Sequence, residues 1–285
     1  QAEDGIRDVE RSRGLGDVYK RQVETLSQFI SDCVSKSGCK KGIIGLSGGV
    51  DSTVSTYLSV KALGKENVIT VIMPYKTSSP DSEIDAVKIS ELLGIKYIKV
   101  DITPMVDEYF KLFPDADNNR RGNKMARERM SILYDISAKE RGLVIGTSNK
   151  SEILLGYGTI FGDLACGINP LGDLYKTQIY QIARELNVPE EIICKKPTAD
   201  LWLGQYDEDE IGFRYSEIDR LLYYMVDKKY DEKKLLEIGF KKKMIDEIKS
   251  RIKKNHFKRI PPLIAKISER TIGHEFKYIW DWSST

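Results

Sequence analysis

The stretch Leu46–Thr53, with the sequence LSGGVDST, decides the fold. The apolar run Gly42–Leu46 comes directly before it and is typical of a buried strand. The apolar residues within 54–58 then recur at helical spacing. The octapeptide is therefore predicted to be a strand-to-helix turn, which directs unpaired backbone N–H groups and the positive end of a helix dipole toward one point.

The side chains of this turn suit a phosphate chain with a divalent metal ion. Gly48 and Gly49 let the backbone come close to a bulky anion. Asp51 places a carboxylate beside that anion, which requires a cation between the two groups. The alternative interpretation is a glycine-rich turn in an ordinary α/β unit. The hydroxyl donors expected at the turn are those of Ser47, Ser52 and Thr53.

Four apolar runs alternate with helical patterns along the chain. This order predicts an α/β fold with a doubly wound, mostly parallel sheet, followed by C-terminal helices. Ligands bind outside the carboxyl ends of strands in such sheets, so the polar turn Thr147–Glu152 is expected to share one crevice with Leu46–Thr53. The predicted strands are 42–46, 68–74, 95–100 and 142–146.

Two local expectations can be checked against the structure. A helix is predicted over 81–93, and the segment 257–262, which contains two prolines, is expected to be extended. The residues expected on the inner side of the helix are Ile84, Val87, Ile89, Leu92 and Leu93.

The composition is that of a globular protein. Hydrophobic residues make up 41% of the 285 residues and charged ones 31%, and no apolar run is long enough to cross a bilayer. The net charge of +2 gives no argument for nucleic-acid binding. Four scattered cysteines and two histidines do not favour a zinc site or a disulfide framework, and they fit a cytoplasmic location.

The chain is expected to divide into three parts. Residues 1–22 are polar, have no hydrophobic periodicity, and resemble translated adapter sequence, so they are interpreted as a leader foreign to the native protein. Residues 23–262 are expected to form a single domain, and residues 263–285 a C-terminal tail.

Several motifs in order resemble one enzyme family. The S-G-G-x-D-S pattern at 47–52 is similar to the pyrophosphate loop of N-type ATP pyrophosphatases, which cleave ATP to AMP and pyrophosphate. The segments 143–152 (LVIGTSNKSE), 170–178 (PLGDLYKTQ), 195–200 (KKPTAD) and 257–262 (FKRIPP) narrow the resemblance to ammonia-dependent NAD synthetase. The resemblance covers most of the chain.

This resemblance implies a fold, an activity and partners. The fold is the Rossmann-like adenine nucleotide alpha-hydrolase type. The enzyme is a ligase that uses ATP as co-substrate and Mg²⁺ as cofactor. It converts deamido-NAD and ammonia to NAD, AMP and pyrophosphate through an adenylated carboxylate. The family forms homodimers, so a homodimer is expected, without nucleic-acid or membrane partners.

The resemblance also assigns roles to individual residues. Asp51 and Lys176 are expected to be catalytic, and Asp51 and Glu152 to bind Mg²⁺. Arg127 and Lys258 match positions that contact deamido-NAD. For these single polar residues the alternative is a surface ion pair or a helix cap. The residues expected to bind ATP are Leu46, Ser47, Gly48, Gly49, Val50, Asp51, Ser52, Thr147, Lys176 and Thr198.

Two positions depart from the better-known bacterial pattern. Ile160 stands where that pattern has Lys, and Gly167 where it has Asp, both in recognition of deamido-NAD. Asp163 or Asn169 is a candidate for the missing polar contact. The local sequence is more similar to the longer, glutamine-using members. The chain has no room for their glutaminase domain, so free ammonia is the expected nitrogen source, with a separate glutaminase subunit as the alternative.

Three other interpretations remain open. Another ATP pyrophosphatase would amidate or thiolate a nucleotide or a tRNA, and salt-sensitive RNA binding would favour it. A non-catalytic ATP-binding module would bind ATP without releasing pyrophosphate. The unusual N-terminal residues also leave open a damaged gene product.

Overall fold

A four-stranded parallel sheet forms the centre of the protein. The computed structural model describes residues 2–202 and 204–272. The strands are β1 (Lys41–Gly45), β2 (Val68–Ile72), β3 (Lys96–Lys99) and β4 (Gly142–Val144), in the order β3-β2-β1-β4. This parallel arrangement with intervening helices confirms the predicted α/β fold.

The sheet is buried on both faces. Successive side chains of a strand point to opposite faces, and the neighbouring residues Ile43 and Ile44 of β1 are both fully buried. Ile44 packs in one hydrophobic cluster and Ile43 in another. Helices must therefore cover both faces, which is the doubly wound arrangement.

Helices on both sides of the sheet provide this cover. The helices of the described chain are α1 (Ala2–Lys36), α2 (Val50–Leu63), α3 (Pro80–Leu93), α4 (Thr103–Lys111), α5 (Asn118–Glu140), α6 (Lys150–Leu155), α7 (Lys176–Glu185), α8 (Glu190–Ile193), α9 (Asp207–Ile211), α10 (Tyr215–Leu222), α11 (Glu232–Glu237) and α12 (Lys242–Lys254). Helices α1, α2, α3, α7 and α8 contribute to the hydrophobic cluster on one face, and α4 and α5 contribute to the cluster on the other. Helices α9 to α12 form a third cluster with parts of α6.

Two local expectations were partly wrong. Helix α3 buries a narrow stripe that includes Ala86 and Ile89, so Ile84 and Leu92, which lie outside it, are 61% and 60% exposed. The segment that was expected to be extended begins instead within a short 3-10 helix, His256–Arg259, which follows α12.

The proposed division into leader, domain and tail stays a prediction. The backbone of residues 2–22 continues as part of α1. The tail prediction falls partly on residues 273–285, which lie outside the described residues. Across the described part of the chain, none of the helices combines the length and the apolar character needed to cross a membrane.

The turn after β1 requires glycine at position 48. Gly48 has a φ of +78°, a conformation that side chains with a Cβ rarely adopt. A Cβ at this position would lie 2.3 Å from the backbone oxygen of Ser82 in α3. The close approach of α3 therefore adds a steric constraint to the conformational one.

We predict that Gly48→Ala destabilises the protein more than Gly38→Ala. Gly38 has a similar φ of +73° but nothing within 4 Å of its position for a Cβ, so this control carries the backbone strain alone. The contact with Ser82 should add about 1–3 kcal/mol to the loss in free energy of unfolding. Urea unfolding of both variants measures the difference, and equal losses would contradict the steric argument.

Candidate active site

The residues predicted to bind ATP, Mg²⁺ or deamido-NAD all line one cavity. The cavity has a volume of about 990 Å³ and lies at the carboxyl ends of β1, β2 and β4, where the turns into the following elements meet. The structure thus brings together residues separated by more than 200 positions in the sequence. These residues are Leu46, Ser47, Gly48, Gly49, Val50, Asp51, Ser52, Arg127, Thr147, Glu152, Lys176, Thr198 and Lys258.

The turn between β1 and α2 leaves the N-terminus of the helix open to the cavity. Gly49 is the N-cap residue and makes no side-chain cap. The hydroxyl groups of Ser47 and Ser52 lie 3.0 Å apart and hold the turn together. The expectation that Thr53 offers a hydroxyl donor to an anion was wrong, because Thr53 is fully buried and donates to Gly49 O at 2.8 Å.

Asn149 joins the two turns at the base of the cavity. It is the N-cap of α6, where its Oδ1 accepts from Glu152 N at 3.0 Å and Glu152 Oε2 accepts from Asn149 N at 3.2 Å. Its Nδ2 also donates to Asp51 Oδ1 at 2.9 Å. Sequence analysis gave Asn149 no role, although the N-x-x-E spacing directly after a strand is the signature of this cap.

Lys176, the first residue of α7, lies between two carboxylates. Its Nζ bonds to Asp51 Oδ2 and is 3.6 Å from Glu152 Oε1. Burial opposes the charge of Lys176, but the two carboxylates outweigh this effect and raise its pKa. Burial and the neighbouring Asp51 carboxylate raise the pKa of Glu152. The three groups therefore form one coupled, largely buried cluster.

The two carboxylates fit the expected Mg²⁺ site. Asp51 and Glu152 converge on one point, because both reach the same ammonium group. No group of three or more His, Cys, Asp or Glu residues that could hold a metal occurs in the part of the chain that the structure describes. Mg²⁺ is commonly held by one or two carboxylates together with phosphates and waters, so two carboxylates beside a phosphate loop suffice.

A buried aspartate holds the start of α7. Asp219 of α10 accepts from Thr177 N at 2.8 Å and from Ser151 Oγ at 2.5 Å. Ser151 Oγ in turn accepts from Lys176 N at 3.0 Å. Ser151 directly precedes Glu152, so this network links the backbone positions of Lys176 and Glu152. Sequence analysis missed Asp219, because a single aspartate on an apolar helix face carries no local motif.

Asp207 is a second acidic residue that sequence analysis did not assign. It lines the cavity, is buried, and accepts hydrogen bonds from Tyr157 Oη at 3.1 Å and Tyr215 Oη at 3.4 Å. Burial raises the pKa of its carboxyl group. The acidic run 207–210 at the start of α9 was visible in the sequence, but the burial of Asp207 was not.

The residues expected at the deamido-NAD end bind a loop backbone. Lys258 Nζ donates to Gly156 O at 2.7 Å and to Gly158 O at 2.8 Å. Arg127 Nε donates to Ile160 O at 3.3 Å. Both cations thus hold the loop that lines this side of the cavity, and their role toward a substrate stays a prediction.

The remaining two predicted residues sit on loops at the cavity wall. Thr147 lies in the turn between β4 and α6, and Thr198 lies in the loop after α8. Thr198 Oγ1 donates to Gln205 O at 2.6 Å and accepts from Asp200 N at 3.0 Å. The hydroxyl of Thr198 therefore shapes its own loop as well as the cavity.

We predict that Glu152→Gln becomes more stable relative to the wild-type protein as pH rises from 5 to 8 in EDTA. The folded protein binds the Glu152 proton more tightly than the unfolded chain does, whose ordinary pKa is 4.5. The stability that this carboxyl group contributes is therefore lost as pH rises through its raised pKa, with a slope of at most about 1.4 kcal/mol per pH unit. Urea unfolding of both proteins at each pH measures this difference in the free energy of unfolding.

Glu140→Gln is the matched control. Lys41 and Lys96 hold the pKa of Glu140 at about 2, so Glu140 is ionised in both folded and unfolded states above pH 6. The stability difference for this variant should stay constant between pH 6 and 8. A constant difference for Glu152→Gln as well would show that the pKa of Glu152 is not raised.

We predict that Asp219→Ala lowers the kcat of ATP-dependent pyrophosphate release about tenfold or more, with a smaller change in KM for ATP. Small displacements of Lys176 and Glu152 weaken alignment more than binding. Asp231→Ala is the control, because Asp231 caps α11 by accepting from Lys234 N at 2.9 Å, outside the cavity. Asp219→Asn retains one acceptor oxygen, so its kcat should lie between those of Asp219→Ala and the wild type. Identical kinetics for the two Ala variants would leave Asp219 without a positioning role.

The comparisons with known proteins agree on one family. The NAD synthase family matches residues 22–262. The NH3-dependent NAD+ synthetase of Trichlorobacter lovleyi is 54% identical over 254 residues, which are 89% of this chain and 93% of that protein.

Two solved structures are similar over almost their whole length. The NH3-dependent NAD synthetase from Campylobacter jejuni, in complex with nitrate, has a TM-score of 0.75 at 38% identity and covers 87% of this chain and 99% of its own. The NMN synthetase from Francisella tularensis has a TM-score of 0.79 at 32% identity, with the same coverage. These similarities show that the chain belongs to the NAD synthase family.

Proposed function

We propose that this protein amidates deamido-NAD with ammonia at the expense of ATP, giving NAD, AMP and pyrophosphate. The family uses ATP as a co-substrate, and relatives named NH3-dependent NAD+ synthetase match about nine tenths of the chain. The single observation that carries the proposal is the cluster of Asp51, Glu152 and Lys176 beside an uncapped helix N-terminus.

The reaction proceeds in two steps. A carboxylate oxygen of the nicotinate group attacks the α-phosphorus of ATP, the bond to the bridging oxygen breaks, and pyrophosphate leaves. Ammonia then attacks the carbonyl carbon of the acyl adenylate. The C–O bond to AMP breaks, AMP leaves with its electron pair, and the amide nitrogen loses a proton.

The residues of this chain bind and orient the reacting groups. The N–H groups at the start of α2 face the position where the pyrophosphate portion of ATP would lie. Lys176 supplies a positive charge at the leaving pyrophosphate. Mg²⁺, when bound by Asp51 and Glu152, would neutralise part of the phosphate charge. No side chain has to form a covalent bond, so positioning and charge account for the catalysis.

Nicotinate mononucleotide is the second candidate acid substrate. The structure with a TM-score of 0.79 is an NMN synthetase. The product of that enzyme, NMN, lacks the AMP half of NAD. The carboxylate that would be activated is the nicotinate carboxylate in both reactions. The departures at Ile160 and Gly167 affect the region expected to recognise the dinucleotide, which is a reason to test the two acids side by side.

Three parts of the proposal rest on the family resemblance. Free ammonia is the proposed nitrogen source, a homodimer the proposed assembly, and the cytoplasm the proposed location. An assay that compares ammonium with glutamine tests the first, because glutamine supports NAD formation only if a separate glutaminase subunit supplies ammonia. Sedimentation of the purified protein tests the second.

The decisive experiment measures pyrophosphate release and NAD formation from ATP and Mg²⁺. We expect pyrophosphate release to depend on deamido-NAD, and NAD to form only when ammonium is also present. Deamido-NAD should have a higher kcat/KM than nicotinate mononucleotide.

Asp51→Ala should abolish both signals, because it removes one carboxylate of the cluster and leaves Lys176 with a single partner. Circular dichroism would verify that this variant is folded. ATP binding without pyrophosphate release under any condition would overturn the proposed enzyme, whereas preference for the mononucleotide would replace the substrate and leave the chemistry intact.

A further inference from the structure

Arg129 is an anchored arginine at the cavity wall with no assigned role. It lies on α5, and its Nε donates to Met73 O at 3.0 Å, directly after the carboxyl end of β2. Both residues line the cavity. The hydrogen bond to a buried backbone oxygen fixes the orientation of the guanidinium group. A surface arginine without such a bond has no fixed orientation.

The guanidinium group has no carboxylate partner within the described residues. Two other cations that line the cavity do have one: Lys195 Nζ is 2.6 Å from Asp85, and Lys76 Nζ is 2.5 Å from Asp107. Among residues 18–202 and 204–272, Arg129 makes no ion pair within 4 Å, and its one hydrogen bond to those residues uses Nε alone. Its two terminal nitrogens are therefore available to the cavity.

Burial makes this arrangement unfavourable for the protein by itself. Loss of water lowers the pKa of Arg129, and the more distant carboxylates of Asp200 and Asp163 offset this only in part. A desolvated charge without a paired anion is costly, so its retention in a ligand cavity calls for an anionic ligand. The planar fork of arginine matches the oxygens of phosphate and carboxylate groups.

We propose that Arg129 is a substrate-binding residue whose terminal nitrogens receive a phosphate or carboxylate oxygen of ATP or of deamido-NAD. This inference rests on the proposed function for the identity of the two ligands. It adds a cation to Lys176 and to the predicted substrate contacts Arg127 and Lys258. Arg129 and Lys176 approach the cavity from opposite sides of the sheet, since α5 and α7 cover different faces.

Titration calorimetry of Arg129→Ala and Arg129→Lys, with ATP and deamido-NAD measured separately, tests the inference. We expect the affinity of one ligand to fall about tenfold or more in Arg129→Ala. Arg129→Lys keeps the positive charge but loses the planar fork, so its affinity for that ligand should lie between the affinities of Arg129→Ala and the wild type. Weaker binding of ATP identifies a phosphate of ATP, and weaker binding of deamido-NAD alone identifies the acid substrate.

Arg121→Ala is the matched control. Arg121 lies on the same helix and anchors its Nε in the same way, to Ala116 O at 3.0 Å, but its guanidinium lies over the Phe110 ring and does not line the cavity. This variant should bind both ligands with wild-type affinity.

Wild-type affinity of Arg129→Ala for both ligands would overturn the inference. If Arg129→Ala does not fold, Arg129→Lys decides, and wild-type binding of both ligands by that variant overturns it equally. Failure of the proposed function is a separate result, because it shows as absence of NAD formation by the wild-type protein, whereas calorimetry requires no turnover.

Discussion

The ion cluster of Lys176 with Asp51 and Glu152 holds three separate chain segments in one place. Asp51 follows β1, Glu152 follows β4, and Lys176 begins α7. Adjacent parallel strands place the first two turns side by side. The two partly buried carboxylates would repel each other without the ammonium, and Lys176, which is 2% exposed, would be an unpaired buried charge without them. The sheet topology and the charge cluster therefore depend on each other.

Of the three helices that carry Asp51, Glu152 and Lys176, α2 alone has an uncapped N-terminus to offer to a ligand. Asn149 caps α6, while Ser151 and Asp219 accept the first two N–H groups of α7. The start of α2 has no side-chain cap. An anion is therefore attracted to the turn at 47–52 in preference to the two neighbouring helix ends, whose N–H groups already have acceptors. This capping pattern supports the predicted position of the phosphate groups at the start of α2.

Local motifs predicted the parts of the site that each lie within one short segment. The turn at 47–52 could be found because glycines, hydroxyls and a carboxylate follow an apolar strand, and Glu152 because the segment 143–152 resembles a motif of the family. Asp219 and Arg129 could not, since their roles depend on which distant backbone atoms they meet. The misplacement of Ile84 and Leu92 has a related cause: periodicity shows that a helix is amphipathic, but the width of the buried stripe depends on its neighbours.

The segment predicted to recognise deamido-NAD shows how a departure in sequence is related to packing. A Cβ at Gly167 would lie 2.5 Å from Leu143 Cδ1 and 3.2 Å from Val144 O. An aspartate there would therefore require the Leu143 side chain and the backbone of β4 to shift. Of the two residues considered as replacements, Asp163 already accepts from Thr159 N at 2.8 Å. Asn169 Oδ1 is buried and has no hydrogen-bond partner among the described residues. The unused polar acceptor on this side of the fold therefore belongs to Asn169, whose Nδ2 donates to the backbone oxygen of Ser148, next to the α6 cap.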